Sequence, residues 1–194
     1  MRALRYSRCI ARKMAGAIVA LAACGSVAGC GRAGHPRATS YRPPFLPAGF
    51  VDHAGSGWRI AIPSTWKDAS QKGPAVYAVV DPQAVDDFHA FANVVTEPFA
   101  GESDEYAKAN EAGLRRDPRP HVESAREDLI DGDSTVILES RWAPGGASPT
   151  YQTMQAALAS RGTGYVVTCA ASANAFARYR STCESVVRSF AVER

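Results

Sequence analysis

The side chains with most chemistry to offer in this 194-residue chain are its five cysteines, and their surroundings divide them into two groups. Leu21-Ala-Ala-Cys24 and Val27-Ala-Gly-Cys30 are runs of small residues that close on a thiol. In the lipobox of bacterial lipoproteins such a thiol takes a diacylglycerol and becomes the new N-terminus. Leu21, three residues before the thiol, favours Cys24, whereas a longer apolar segment before the site favours Cys30. The cysteine count favours Cys30 as well, because an exported domain tends not to carry an odd thiol. Acylation at Cys30 discards Cys9 and Cys24 with the leader and leaves Cys169 and Cys183 as a pair. Acylation at Cys24 leaves Cys30 over. Cys30 is therefore the preferred lipidation site, with Cys24 the alternative.

Other reactive side chains are dispersed. His35, His53, His89 and His121 form no His-x-His or His-Glu-x-x-His pattern, and no Cys-x-x-Cys is present, so no metal site is expected. Asp131-Gly-Asp133 could offer oxygens to calcium but has no distal glutamate at loop spacing, so it reads as a turn. No Gly-x-Ser-x-Gly elbow or phosphate-binding glycine loop occurs, and no cofactor is implied. Arg115, Arg116 and Arg119 are the one local basic cluster, a possible anion patch at a helix end.

The elements around these residues set their compartment. Arg2, Arg5, Arg8, Arg12 and Lys13 precede the apolar stretch Met14 to Ala23, the pattern of a secretory leader. An apolar run of this length falls well short of the ~20 residues that span a bilayer as a helix. Residues 1–29 are thus expected to be a lipoprotein signal peptide. Residues 30–48, rich in Gly, Pro and Arg, read as an unstructured tether stiffened toward polyproline II. A folded domain takes up 49–194.

Removing the leader reverses the charge argument. The whole chain has 22 basic and 19 acidic residues, net +3, but from Phe50 onward it has 14 basic against the same 19 acidic, net −5. A mildly acidic domain without a basic stripe excludes nucleic acid as partner. Arg32, Arg37 and Arg42 sit in the tether, where anionic headgroups would attract them.

Within the domain, Trp58, Ile60 and Ile62 alternate with Arg59 and Ala61 as in a half-buried strand, and Pro63 stops the ladder before Trp66 returns. Period-two stretches recur at 75–80, 91–96, 122–129, 135–143, 151–159 and 165–170, joined by short turns that imply antiparallel pairing. The spacing predicts two helices. One runs from Ser103, as N-cap, to Arg116. The other runs from Ser172 to Phe190, with Phe176, Tyr179, Cys183, Val186, Val187 and Phe190 on one stripe. The expected class is α+β, a single antiparallel sheet flanked by two helices.

The order of these elements resembles the Mog1/PsbP-like superfamily, in particular its bacterial lipoproteins of the DcrB and LpqN types. The resemblance rests on Gly57 to Trp66, Asn93 to Pro98, Asp104 to Asn110 and Val186 to Phe190, and it covers Phe50 to Val192. It implies a non-catalytic domain used for binding and assembly. The superfamily has no shared active site, so no functional residues carry over.

Two readings of function follow. One is a membrane-anchored accessory module that engages a protein, glycan or lipid of the cell envelope. The other is an envelope hydrolase or other enzyme whose residues converge only in the fold. In the first reading the chain is held by its N-terminal lipid, at the outer membrane facing the periplasm if the host has one and otherwise at the outer face of the plasma membrane.

Cys169 shares a strand face with Tyr165 and Val167, and Cys183 lies on the apolar stripe of the helix that must cover a sheet. The turn near Ser172 can bring their α-carbons within the ~4.4–6.8 Å that a disulfide needs. Closing that loop stabilises the domain by ~3 kcal/mol in the chain-entropy model; two buried thiols acting as small hydrophobes are the alternative.

The lipidation assignment is checked by metabolic palmitate labelling. Cys30→Ala is expected to abolish the label and Cys24→Ala to retain it; the reverse pattern moves the anchor to Cys24.

Overall fold

A computed structural model of the chain describes residues 46–69, 74–143 and 149–194. The leader, most of the 30–48 tether with Cys24 and Cys30, and residues 144–148 lie outside the described residues. The elements run β1 (Phe50–Gly55), β2 (Trp58–Pro63), β3 (Lys67–Asp68), β4 (Ala75–Val85), β5 (Phe88–Pro98), α1 (Ser103–Arg116), β6 (Pro120–Ile130), β7 (Asp133–Trp142), β8 (Tyr151–Ser160), β9 (Thr163–Ser172), α2 (Phe176–Arg188) and β10 (Ala191–Val192).

The expectation of a single sheet is corrected: the strands form two. β3-β4-β5-β9-β8-β7-β6 make a seven-stranded antiparallel sheet, and β1-β2-β10 a separate three-stranded one. The reason lies in β2. Its Trp58, Ile60, Ala61 and Ile62 are all buried, so it is covered on both faces instead of one. Pro63 ends its ladder, and the chain leaves for β3 on the larger sheet. β10, a two-residue strand too short to show a period, comes back beside β2 at Ala191↔Arg59 and Val192↔Trp58.

Three hairpin turns have both central residues, or a residue and a glycine, at positive φ: Asp86–Asp87, Asp131–Gly132 and Arg161–Gly162. That backbone matches the right-handed twist of paired strands. It also lengthens two strands beyond expectation, because Asp81 to Val85, read as loop, continues β4 up to the Asp86–Asp87 turn.

The main core lies between the seven-stranded sheet, the small sheet and α2. Trp58 packs on Tyr77 and Phe190, with ring centroids 5.3 and 6.4 Å away, and Phe176, Cys183, Val186 and Val187 of α2 are 0 or 1 % exposed. Burying one such large apolar side chain is worth about 1.5–3 kcal/mol. Cys169 of β9 and Cys183 of α2 are joined by a disulfide, with Cα atoms 5.2 Å apart. α2 begins at Phe176, later than expected, because Ser172 still belongs to β9, where its hydroxyl donates to Asp86 at 2.7 Å. α1 lies on the opposite face, over β6, β7 and β8.

Ser103 is not the N-cap of α1. Glu102 holds that position, and its amide donates to the Glu105 carboxylate at 3.4 Å. The hydroxyl of Ser103 instead accepts from the Ala159 amide at 2.9 Å and donates to the Ala159 carbonyl at 3.0 Å. It stands where a neighbouring strand would. β7 pairs with β8 only from Leu138↔Gln155 to Trp142↔Tyr151, so the rest of that edge of β8 has no strand beside it. Thr135 completes the repair by donating to the Ala157 carbonyl at 2.7 Å. Ser189 does the same for β2, accepting from the Ala61 amide at 2.9 Å.

Removing the Ser103 hydroxyl leaves the half-buried amide and carbonyl of Ala159 without this partner. Ser103→Ala is therefore expected to lower the unfolding free energy by about 1–3 kcal/mol in chemical denaturation. A loss below a few tenths would mean that water replaces the hydroxyl.

Candidate functional site

α2 has an apolar side toward the sheets and a charged side over β6 and β7. Along the charged side Arg180 is ion-paired with Glu139 of β7. Glu184 receives Arg126 of β6 at 3.3 Å and Arg188 at 3.0 Å, and Arg188 extends to Asp128 of β6 at 2.6 Å. These pairs cross from helix to sheet like straps. Under them lies a depression of about 230 Å³ lined by Ser124, Arg126, Ile137, Glu139, Met154, Arg180 and Glu184. Ile137 and Met154 form an apolar floor, and Arg180 also lies over the Phe176 ring at 5.4 Å.

The electrostatics of the depression follow from the straps. The hydrogen bond from Arg188, with Arg126 adding to it, holds the Glu184 carboxyl below the usual glutamate range, and Glu184 in turn raises Arg188. A carboxylate stabilised in this way is a poor proton acceptor near neutrality, where a general base needs a raised pKa. No imidazole or thiol is among the lining residues. Apolar floor, neutralised ionic walls and a single hydroxyl at Ser124 suit reversible binding of a group with both apolar and polar parts. A second depression of about 220 Å³ lies on the other face, between α1 and β6–β7, where Asp104 and Lys108 pair at 3.1 Å.

The expected site residues are placed as follows. Cys24 and Cys30 lie outside the described residues. Arg115 is paired with Glu111 at 2.8 Å, and Arg119 is chelated by Asp117 and stacked over the Trp142 ring at 5.8 Å. Those hydrogen bonds hold Asp117 at about 2. Arg116 is exposed on α1. Two of the three guanidinium groups in the expected anion patch are thus already engaged with carboxylates of their own segment. His53 packs against Tyr77, and His89 donates from Nδ1 to the Asp81 carbonyl at 2.8 Å. Asp131 and Asp133 face the Arg194 guanidinium, which occupies the turn read as a possible oxygen cluster. Among the described residues no three His, Cys, Asp or Glu side chains could hold a metal ion, and no helix is long and apolar enough to cross a membrane.

Sequence reasoning missed the strapped depression. Its one local signal was Glu184–Arg188 at i,i+4, which looks like an ordinary solvated pair. Arg126 and Glu139 become its partners only through strand register.

Comparison with known proteins supplies the fold. No family model matches the chain, and no curated protein does. Among solved structures it is similar to LpqN of Mycobacterium tuberculosis, described as involved in cell envelope biogenesis, with a TM-score of 0.54 and 16% identity over 75% of this chain and 90% of that one. It is similar also to the cyanobacterial PsbP of Synechocystis, with a TM-score of 0.50 and 17% identity over 87% of this chain and all of that one. The fold is the Mog1/PsbP-like one.

The straps have a pH signature. Because the folded state favours the ionised Glu184, their contribution is complete above the ordinary glutamate value of 4.5 and drains as pH falls through the lower folded value. Asp117 acts in the same sense nearer pH 2. Asp131 acts oppositely, since burial raises it and protonation relieves that cost. Thermal melts from pH 7 down to pH 3 are expected to show a smaller loss of Tm for Glu184→Gln than for the unaltered chain. Superimposable profiles would remove Glu184 from this account.

Proposed function

We propose that this chain is an exported lipoprotein, anchored through its N-terminal cysteine, whose Mog1/PsbP-like domain serves the cell envelope as a non-catalytic accessory module. The observation that carries the reading is the depression between α2 and β6–β7. Its floor is apolar, and its carboxylates Glu139 and Glu184 are paired with guanidinium groups, an arrangement that suits reversible binding. The leader pattern and the paired cysteines support export, because a disulfide persists in an oxidising compartment. The structural likeness to LpqN agrees with an envelope setting. The molecule engaged is an envelope protein, glycan or lipid that reaches the groove between α2 and β6–β7.

A photo-crosslinking residue at Ser124 in intact cells tests this. It is expected to capture an envelope component, and reversal of a strap in Arg180→Glu is expected to reduce the capture several-fold. Capture unchanged by Arg180→Glu would detach function from the groove. Turnover of an envelope ester or glycoside by the purified chain, lost in Glu139→Gln, would overturn the non-catalytic reading.

A further inference from the structure

β6 is the outermost strand of the seven-stranded sheet, and among the described residues no strand lies on its other side. The hairpin to β7 fixes which of its backbone groups are already used. The two-residue turn Asp131–Gly132 closes on the pair Ile130↔Asp133, which exchanges hydrogen bonds, and from there bonded and non-bonded pairs alternate along the ladder. Ser124, Arg126 and Asp128 therefore bond to β7, whereas the amides and carbonyls of Ala125, Glu127 and Leu129 face outward. One contact fixes this phase independently: the Leu129 amide donates to the Asp128 carboxylate at 2.9 Å, away from β7. The amides of Ala125 and Glu127 have no such cover.

Open edges are ordinarily guarded by shortness, a bulge, proline or lysine. β3, at the other end of the sheet, is two residues long. The bulge of β6 lies between Val122 and Ser124, so the seven residues from Ser124 to Ile130 run in regular register, and none of them is proline or lysine. Two of the charges on this stretch are turned to the α2 face and held there, Arg126 by Glu184 at 3.3 Å and Asp128 by Arg188 at 2.6 Å. On the α1 face Ala125, Glu127 and Leu129 follow one another at alternate positions, and all three are exposed, Leu129 at 66 %. Glu127 has no ion pair among the described residues. The two depressions flank this strand, one on each face, with Ser124 and Arg126 lining the first and Glu127 the second.

We propose that the open edge of β6 takes an extended peptide segment of an envelope protein as an eighth strand. The unpaired backbone groups recur at every second residue, a spacing that only another extended backbone matches, and they supply the affinity. The side chains select the sequence. Opposite Glu127 the segment carries lysine or arginine, which the net charge of −5 from Phe50 onward also attracts, and two residues away it carries an apolar side chain against Leu129. Its alternate side chains leave toward the groove between α2 and β6–β7. The inference rests on the reading of that groove as a binding site, and it names the occupant as protein in place of glycan or lipid.

The peptide Thr-Leu-Thr-Lys-Thr-Leu-Thr tests the proposal against the full chain in detergent. It reads the same in both directions, so either strand orientation sets lysine on Glu127 and leucine on Leu129. Binding is expected, with slowed amide exchange by NMR at Ala125 and Glu127 and unchanged exchange at Ser124, Arg126 and Asp128. Ala125→Pro removes an outward amide without removing a bond to β7, and is expected to weaken binding about tenfold or more. Glu127→Lys is expected to weaken it several-fold, and glutamate in place of the peptide's lysine to restore it. Restoration by the swapped pair is a result that misfolding does not produce. In cells, the photo-crosslinker at Ser124 is expected to capture a polypeptide, and Ala125→Pro to reduce that capture about tenfold. A peptide that fails to bind at millimolar concentration, binding that leaves the two amides unprotected, or capture of a glycan or lipid would each overturn the proposal. Capture reduced by Arg180→Glu but unchanged by Ala125→Pro would overturn the added strand and leave the groove reading in place; the reverse pattern would retain the strand and detach it from the groove.

Discussion

The structure depends on one requirement: α2 has to bury its apolar stripe against two sheets at once. Phe176, Val186 and Val187 face the seven-stranded sheet, while Phe190 just beyond the helix meets Trp58 of the small one. The disulfide from Cys183 to Cys169 ties this wall to β9 at the point of deepest burial. Tyr179 adds a polar tie to Asp81 at 2.8 Å, so the start of the helix is also bound to β4. A helix held at this many points cannot rotate. Its remaining side, with Arg180, Glu184 and Arg188, is therefore presented in one fixed orientation over β6 and β7.

Placing a helix between two sheets has a cost in backbone hydrogen bonding. β2 and β8 each run past the end of a neighbouring strand at buried or half-buried positions, where an unpaired amide is expensive. Three hydroxyls resolve this: Ser189 on the Ala61 amide, Ser103 on both polar groups of Ala159, and Thr135 on the Ala157 carbonyl. Ser103 is thereby diverted from capping α1, and Glu102 and Glu105 take over that end of the helix. Local helix chemistry yields here to a tertiary need.

The two faces of the large sheet consequently differ in kind. The α2 face is closed, cross-braced and charged at its rim, which suits selective, reversible engagement of a mixed polar and apolar group. The other face carries α1, over β6, β7 and β8.

Much of this was legible in the residues. Period-two alternation located β4 to β9, and the helix ending at Arg116 was readable from its first-turn acids, last-turn arginines and the following Pro118, although its N-cap is Glu102 and not Ser103. The pairing of Cys169 with Cys183 followed from strand and helix periodicity, both local quantities. The strand at 81–85 was obscured by Asp81-Pro82, residues usually found in turns, and β10 was too short to carry any period. What sequence alone determined, then, was most of the element types, their order and the apolar stripes, since each depends on neighbours within a few positions. Only the tertiary structure decided that β1, β2 and β10 leave the main sheet, that Ser103 serves β8 and not α1, and that Arg126 and Glu139 meet α2. Those outcomes depend on which backbone groups lose a partner and which charges face each other once strands far apart in the chain are in register, and no local pattern encodes register.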